Sequence, residues 1–301
     1  MKRVVAIVAG TMLSVGLLTS PASASILVVG SDNDFFFNNF ENLFDSSGHW
    51  KAPSSAPVVG DHLAGIINIQ NIDVEGTTHF FAGPTSQLTG IFAQRILDIS
   101  SHGGITHLTL GNPTLTSYCR GADCFSTVGL LSPGEMFALY LQQGGGTTVF
   151  ESNGTMLDDV SKATDGSLWV TLGINGDAFV YSHPILGVNP EGLAFGGLNV
   201  IQNNTGVTTF QGINDPNETE VGGTTVLTDL VVSSEFELNP NGFAGRALAK
   251  RPCPTSGCSP WEFRSNDPAT VHPAIPEVSS LWLLGLGFGT IGAFGRRKWL
   301  G

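Results

Sequence analysis

The run SLWVTLGI at residues 167–174 decides the fold class of this chain. Its apolar side chains recur at every second position, which places Leu168, Val170, Leu172 and Ile174 on one face of an extended chain. A period of two is typical of a β-strand that buries one face, whereas a surface helix repeats its apolar residues with a period near 3.6. The run therefore predicts a half-buried strand.

Comparable runs follow one another along the chain. Asn-Gly and Asp-Gly pairs adopt positive φ angles at little cost, so the pairs that begin at Asn153, Asp165, Asn175 and Asn241 predict turns. Long runs of strong helix formers are absent. These patterns predict an all-β body, folded as a single β-sandwich or jelly-roll-like domain. Besides residues 167–174, the predicted strands are residues 66–74, 92–99, 106–110, 179–181, 206–210, 224–232, 235–238 and 261–267, after which residues 268–276 form a linker.

The segment 132–151 fits two different structures. Ser132, Pro133 and Glu135 stand where the N-cap, the first residue and the third residue of a helix would stand. Residues 136–141, a triple glycine and residues 147–151 also fit a β-hairpin. Because the neighbouring segments are predicted strands, we favour the hairpin.

The first 24 residues have the organisation of a secretory signal peptide. Lys2 and Arg3 form a basic region, residues 4–18 form an apolar region, and Ala22-Ser23-Ala24 forms a small-residue cleavage site. We expect signal peptidase to cleave between Ala24 and Ser25, which leaves an exported body over residues 25–274. A retained N-terminal anchor is the alternative.

Residues 275–301 have the three parts of a membrane-engaging tail, in the required order. The apolar span is shorter than the roughly 20 residues that cross a bilayer, but long basic side chains can reach the interface from within the membrane. We expect a short C-terminal transmembrane helix with its cations on the cytoplasmic side. A buried core helix is the alternative. The parts are the motif Pro276-Glu277-Val278, the apolar span 281–295 and the basic stop Arg296, Arg297 and Lys298.

The tail resembles the PEP-CTERM sorting tail of bacterial exported proteins. That tail combines a Pro-Glu-Pro motif, a short Gly/Leu-rich span and a terminal arginine cluster, and Val278 replaces the second proline here. The resemblance covers residues 275–301 alone. It implies processing near the motif by an exosortase, a membrane enzyme, and an association with exopolysaccharide and biofilm. We expect export across the inner membrane, transient anchoring by the tail, and final residence at the cell surface or in the extracellular matrix.

The exported body is strongly acidic. Removing the five cations and the one acid of leader and tail from the chain's 13 Lys and Arg and 25 Asp and Glu leaves 8 cations against 24 acids, a net charge of −16. Such a body repels nucleic acid and anionic lipid, so neither is expected as a partner. Extracellular polysaccharide remains a candidate partner.

The four cysteines form two C-x4-C pairs, Cys119 with Cys124 and Cys253 with Cys258. In an oxidising compartment, an even number of closely spaced cysteines favours two local disulfides. A single zinc site with four thiolate ligands is the alternative, since structural zinc also uses closely spaced cysteine pairs.

Motifs for catalysis or for metal binding are missing from the sequence. It contains no G-x-S-x-G, H-E-x-x-H or P-loop pattern, so no catalytic or cofactor-binding residue is assigned. The histidines lack the spacing of a metal motif and are expected at the surface, and the acidic clusters lack the rest of a calcium loop. Weak Ca²⁺ binding is compatible with the acidic surface, but no residue is given a ligand role. The residues considered are His79, His102, His107, Asp32-Asn33-Asp34, Asp158-Asp159 and Asp215.

Aromatic side chains could bind sugars if their rings face solvent. The candidates are Phe35-Phe36-Phe37, Trp50, Trp169 and Trp261. Trp169 stands opposite the apolar face of its predicted strand and is expected to point outward. Packing in the core is the alternative for each, because large apolar residues are mostly buried.

Two functions from different classes follow. The first is a non-catalytic surface or matrix protein, exported and processed at its tail. The alternative is an exported polysaccharide hydrolase with an unlocated carboxylate pair, or a carbohydrate-binding protein. The missing catalytic motifs favour the first.

Overall fold

The fold is described from a computed structural model of the chain. The structure describes residues 26–52, 55–102, 105–144, 150–174, 179–184, 191–207, 220–221, 224–225, 229–237 and 259–271.

Strands dominate these ranges, so the prediction of an all-β body is confirmed. The strands are β1 Asn33–Phe44, β2 His62–Val74, β3 Thr77–Phe81, β4 Ser86–His102, β5 Ile105–Gly111, β6 Ser117–Arg120, β7 Asp123–Ser126, β8 Phe137–Gln143, β9 Ser167–Gly173, β10 Phe179–Pro184, β11 Glu191–Asn203, β12 Glu220–Val221, β13 Thr224–Thr225, β14 Leu230–Glu237 and β15 Phe263–Val271, and the helix is α1 Met156–Ala163.

The main sheet has the strand order β10-β5-β4-β8-β9-β11-β14-β15-β1-β2-β3. All the neighbouring strands whose register is recorded are antiparallel. Because β2 also pairs with β4, the strands β1, β2, β4, β8, β9, β11, β14 and β15 form a closed circuit of hydrogen-bonded neighbours. The long strand β4 makes this possible: residues 88–95 pair with β2, whereas residues 95–102 pair with β5.

Two hydrophobic cores lie on the two faces of strands β2, β4 and β8. The first core takes residues from most strands of the circuit, such as Ile67, Leu139 and Val170. The second core packs Ile66, Ile91 and other residues of these strands against α1, the β6–β7 hairpin and Trp261. Neighbouring residues such as Ile66 and Ile67 therefore enter different cores, which buries both faces of β2.

The helix α1 was not predicted. Thr155 is its N-cap and forms a capping box with Asp158, and Met156, Val160 and Ala163 are buried on one side. The sequence carries this signal, since a threonine followed three residues later by an acid marks a helix start, and the apolar residues recur at helical spacing. The turn pairs at Asn153 and Asp165 flank this helix rather than joining two strands.

The segment 132–151 is neither the helix nor the complete hairpin. The predicted strand is present as β8, but β4 and β9 occupy its two edges, and Phe150 and Glu151 lie outside any strand. The hairpin is therefore wrong, although residues 145–149 lie outside the described ranges. Ser132 and Glu135 form a tight turn, in which the Ser132 N–H donates to the Glu135 carboxylate at 2.6 Å and the Glu135 N–H donates to the Ser132 carbonyl at 3.0 Å.

The last strand is longer than predicted. β15 continues through Pro268 to Val271, where the sequence predicted a linker. Pro268 is opposite Phe36 of β1, and the recorded register with β14 covers Ala269 and Asn266 but not Pro268. Proline has no N–H to donate, so it is tolerated only where a ladder hydrogen bond is not needed.

Other predicted strands also differ from the observed ones. The predicted strand 206–210 is not observed at its described residues, Gly206 and Val207, and the predicted strand 224–232 is present as parts of β13 and β14. β1 was not predicted because its sequence, NDFFFNNFENLF, does not alternate. The turn pairs at Asn175 and Asn241 lie outside the described residues.

Candidate functional site

The predicted leader and the predicted sorting tail lie outside the described residues. This applies to Ala24 and Ser25, to Pro276, Glu277 and Val278, and to Arg296, Arg297 and Lys298. Within the part of the chain that the structure describes, no helix has the length and apolarity needed to cross a membrane.

The first and last described strands meet at one end of the sheet. Asn33, the first residue of β1, pairs with Val271, the last residue of β15, and also with Val74 of β2. The first strand, β1, therefore begins and the last described strand, β15, ends at the same end of the sheet, which we call the terminal end.

The Cys119–Cys124 disulfide is confirmed. The two cysteines are opposite each other in the β6–β7 hairpin, with Cα atoms 4.1 Å apart. Hydrogen bonds between the backbones of Cys119, Gly48 and Trp50 hold this hairpin against the body. Cys253 and Cys258 lie outside the described residues, so their pairing stays a prediction.

The tryptophan candidates for sugar binding are not exposed platforms. Trp169 is 4% exposed and lies in the first core, 6.2 Å from the ring of Phe35. Trp261 is buried in the second core against Phe125. Trp50 is half-buried, and the guanidinium of Arg120 lies 4.5 Å from its ring centroid.

A β-bulge explains why Trp169 points inward. Tyr140 of β8 pairs with Leu168, whereas the preceding residue Leu139 pairs with Val170, so Trp169 is the extra residue of the bulge. Leu168 then packs against the second core, while Trp169 and Val170 enter the first. The prediction that Trp169 faces outward and that Leu168 shares a face with Val170 is therefore wrong.

The three consecutive phenylalanines of β1, Phe35, Phe36 and Phe37, differ in their burial. Phe35 and Phe37 are buried in the first core, and Phe36 is 38% exposed. Phe36 pairs with Asn71 of β2, which in turn pairs with Phe81 of the edge strand β3, whose side chain is 74% exposed. Directly paired residues present their side chains on the same face of a sheet. We call Phe36, Asn71 and Phe81 the aromatic row.

Polar groups border the aromatic row. The next row of paired residues on the same face is formed by Asp34, Asp73 and Thr78. Asp34 and Asp73 stand two positions from Phe36 and Asn71, so they lie on the same face. The Asn71 Nδ2 donates to the Asp73 Oδ1 at 2.8 Å, which fixes the amide beside the carboxylate. The sequence had not singled out Asn71 or Phe81.

The Asp32-Asn33-Asp34 motif supports a turn. The buried Asn33 side chain accepts from the Val28 N–H at 2.8 Å and donates to the carbonyls of Val28 and Ser31 at 3.0 and 2.7 Å. These bonds use both the oxygen and the nitrogen of the Asn33 amide. Across the described ranges, no group of three or more His, Cys, Asp or Glu residues could hold a metal ion.

The remaining candidates have structural environments. Asp158 caps α1, and hydrogen bonds from the backbone and side chain of Thr155 hold the pKa of its carboxyl below the ordinary value. The Asp159 carboxylate is buried and accepts from Ser152 and Trp261. His79 is exposed, as expected, and His107 is half-buried. Asp215 and the side chain of His102 lie outside the part of the chain that the structure describes.

His62 is a buried titratable group that sequence reasoning missed. Its Nε2 accepts from the Thr114 N–H at 3.3 Å. Burial and the nearby Arg95 lower the pKa of His62 to about 4. The imidazole is therefore neutral near pH 7.

Comparison with known proteins adds no assignment. No known family model, curated protein or solved structure matches this chain.

Proposed function

We propose that this chain is an exported, non-catalytic surface or extracellular-matrix protein that an exosortase processes at its tail. Its body, in this proposal, is a β-sandwich or jelly-roll-like domain that stays with exopolysaccharide after release. The pairing of Asn33 with Val271 supports the proposal best, because the first and last described strands then begin and end at one end of the body, and a leader and a tail attached there would share that end.

That arrangement suits a body held at a membrane surface. Signal peptidase would cleave after Ala24, the apolar span 281–295 would then hold the chain, and the basic stop would remain on the cytoplasmic side. Five residue steps separate Val271 from Pro276, a distance of at most about 17 Å for an extended chain. The terminal end would thus face the membrane, with the motif within reach of a membrane enzyme.

A fusion tests whether the tail sets the location. Residues 274–301 placed behind an unrelated exported domain should give a membrane-held species in cells that lack an exosortase, because the apolar span remains uncleaved. The matched control lacks residues 281–295 and should be released. Full release of the intact fusion into the medium would contradict the anchoring role.

A further inference from the structure

We propose that the aromatic row of Phe36, Asn71 and Phe81 binds a neutral polysaccharide, with pyranose rings stacked on the two phenylalanines. The proposal rests on the proposed function in one respect, namely that the body meets polysaccharide outside the cell.

Exposure of the two rings is the first observation. Phe81 is 74% exposed and Phe36 is 38% exposed, although residues next to them in the chain, Phe80 and Phe35, are buried. The buried neighbours and the strand pairing hold the backbone of both rings in place. Large apolar side chains gathered on one exposed surface more often mark a binding site than scattered ones do.

The spacing of the row is the second observation. Phe36 and Phe81 stand on strands β1 and β3, with β2 between them, so their backbones are about 10 Å apart. Asn71 lies between the rings and presents an amide, which has both donor and acceptor atoms. A sugar ring has one face of C–H groups and a rim of hydroxyl groups. The phenylalanine faces suit the C–H groups, and Asn71, Asp73 and Thr78 suit the hydroxyls.

The negative charge around the aromatic row favours a neutral ligand. Asp34 and Asp73 lie next to the row in an acidic body. Anionic polysaccharide, nucleic acid and anionic lipid are therefore repelled. A neutral polymer bears no such penalty, and carboxylates are good acceptors for its hydroxyl groups.

Affinity electrophoresis of the full chain tests the proposal. The protein is kept in a zwitterionic detergent without a sugar headgroup, and native gels contain hydroxyethyl cellulose, dextran, galactomannan or the anionic polymer alginate. We expect retardation by at least one neutral polymer and none by alginate. Phe81→Ala should weaken the binding by about tenfold or more, because an aromatic anchor is lost, whereas Phe81→Trp should keep it.

Two further variants test whether the loss of binding is specific to the aromatic row. Phe36→Ala should weaken binding in the same direction, and Val128→Ala, which removes another exposed apolar side chain, should leave it unchanged. Far-UV circular dichroism checks that each variant is folded. Absence of retardation by every neutral polymer, or binding that Phe81→Ala leaves intact, would overturn the proposal.

Other occupants of the row give different results. If the row joins two copies of the chain, sedimentation would show a dimer that Phe81→Ala dissociates, and polymer retardation would be absent. If it contacts lipid, zwitterionic vesicles would bind the wild type and not Phe81→Ala. Either result, without polymer binding, overturns the saccharide site. Cell fractionation with the wild type tests export and processing separately, so that failure of the sorting proposal is distinguishable from failure of the binding site.

Discussion

The indole Nε1 of Trp261 donates a hydrogen bond to the Oδ2 of Asp159, with 3.0 Å between the two atoms. Both side chains are buried, and the same carboxylate oxygen accepts from the Ser152 hydroxyl at 2.6 Å. Asp159 belongs to α1, and Trp261 precedes β15 by two residues. The bond therefore ties the helix over the second core to the segment that leads into β15, the last described strand.

Removal of this carboxylate should destabilise the body. Asp159→Ala leaves the Trp261 indole N–H without its acceptor in a buried site, so we expect a loss of about 2–3 kcal/mol in the free energy of unfolding. The neighbouring Asp158→Ala removes the exposed capping-box partner of Thr155 and should cost less. Urea unfolding followed by circular dichroism measures both, and equal losses would contradict the role given to Asp159.

A glycine in the centre of the sheet gives a second prediction. A Cβ atom at Gly90 would overlap the carbonyl oxygen of Ala138 on β8 and lie 2.9 Å from the Cα of Leu139. Gly90→Ala should therefore cost about 1–3 kcal/mol, because paired backbone must move. At Gly83 a Cβ meets nothing within 4 Å, so Gly83→Ala should change the stability by less than about 0.5 kcal/mol. Similar unfolding midpoints for the two variants would contradict this packing.

Acid should destabilise the fold through His62. Its pKa is lowered to about 4 in the folded state, from the ordinary value of 6.5, so the unfolded state binds more protons between these two values. The stability that neutral His62 provides is fully present above pH 6.5 and is lost as the pH falls toward 4, by about 2–3 kcal/mol after allowance for partial screening.

The check is urea unfolding at pH 4.5 and pH 7.5. His62→Gln removes the titrating group and should show a smaller difference between the two pH values than the wild type does. A wild type whose stability does not change over this interval would argue that solvent reaches the imidazole.

The disulfide stabilises the β6–β7 hairpin by a modest amount. Cys119 and Cys124 close a short loop, so replacing both by serine should cost about 2 kcal/mol. Non-reducing peptide mapping should join Cys119 to Cys124, and we predict Cys253 joined to Cys258. Stoichiometric zinc with four free thiols on denaturation would instead support the metal site.

Sequence patterns predicted the strands that alternate and missed those that do not. β4, β5 and most of β2 were located because apolar side chains recur within them, whereas β1 enters both cores and has no simple period. Trp169 was placed on the wrong face because a bulge shifts the alternation by one residue, and a bulge depends on the partner strand. The start of α1 was visible in the sequence as a capping box.

The candidate site was predictable only in part. The phenylalanine run of β1 pointed to exposed rings. That Phe36 is exposed while Phe35 and Phe37 are buried is a result of their positions in the sheet. The alignment of Phe36 with Phe81 depends on the registers of β1 and β3 with β2. His62 carries no local sequence signal, since its burial depends on residues distant along the chain.

The predicted sorting motif allows a directed substitution. Glu277 is the only charged residue between Asp267 and Arg296, and in the proposed function it would stand where the chain passes from water to lipid. Glu277→Ala should leave unprocessed precursor in the membrane, whereas Val278→Pro creates the Pro-Glu-Pro motif of the tails that residues 275–301 resemble and should be processed at least as well as the native tail. Gel mobility in a host that carries an exosortase compares the two, and normal processing of Glu277→Ala would mean that the motif is only a linker.

The mass of the mature C-terminus tests the central claim most directly. The chain is expressed in a host with an exosortase, and the protein released from the membrane is analysed by intact-mass spectrometry and C-terminal peptide mapping. We predict an N-terminus at Ser25 and a C-terminus near Pro276-Glu277-Val278, without the apolar span 281–295. A released protein that still ends at Gly301 would contradict processing at the tail.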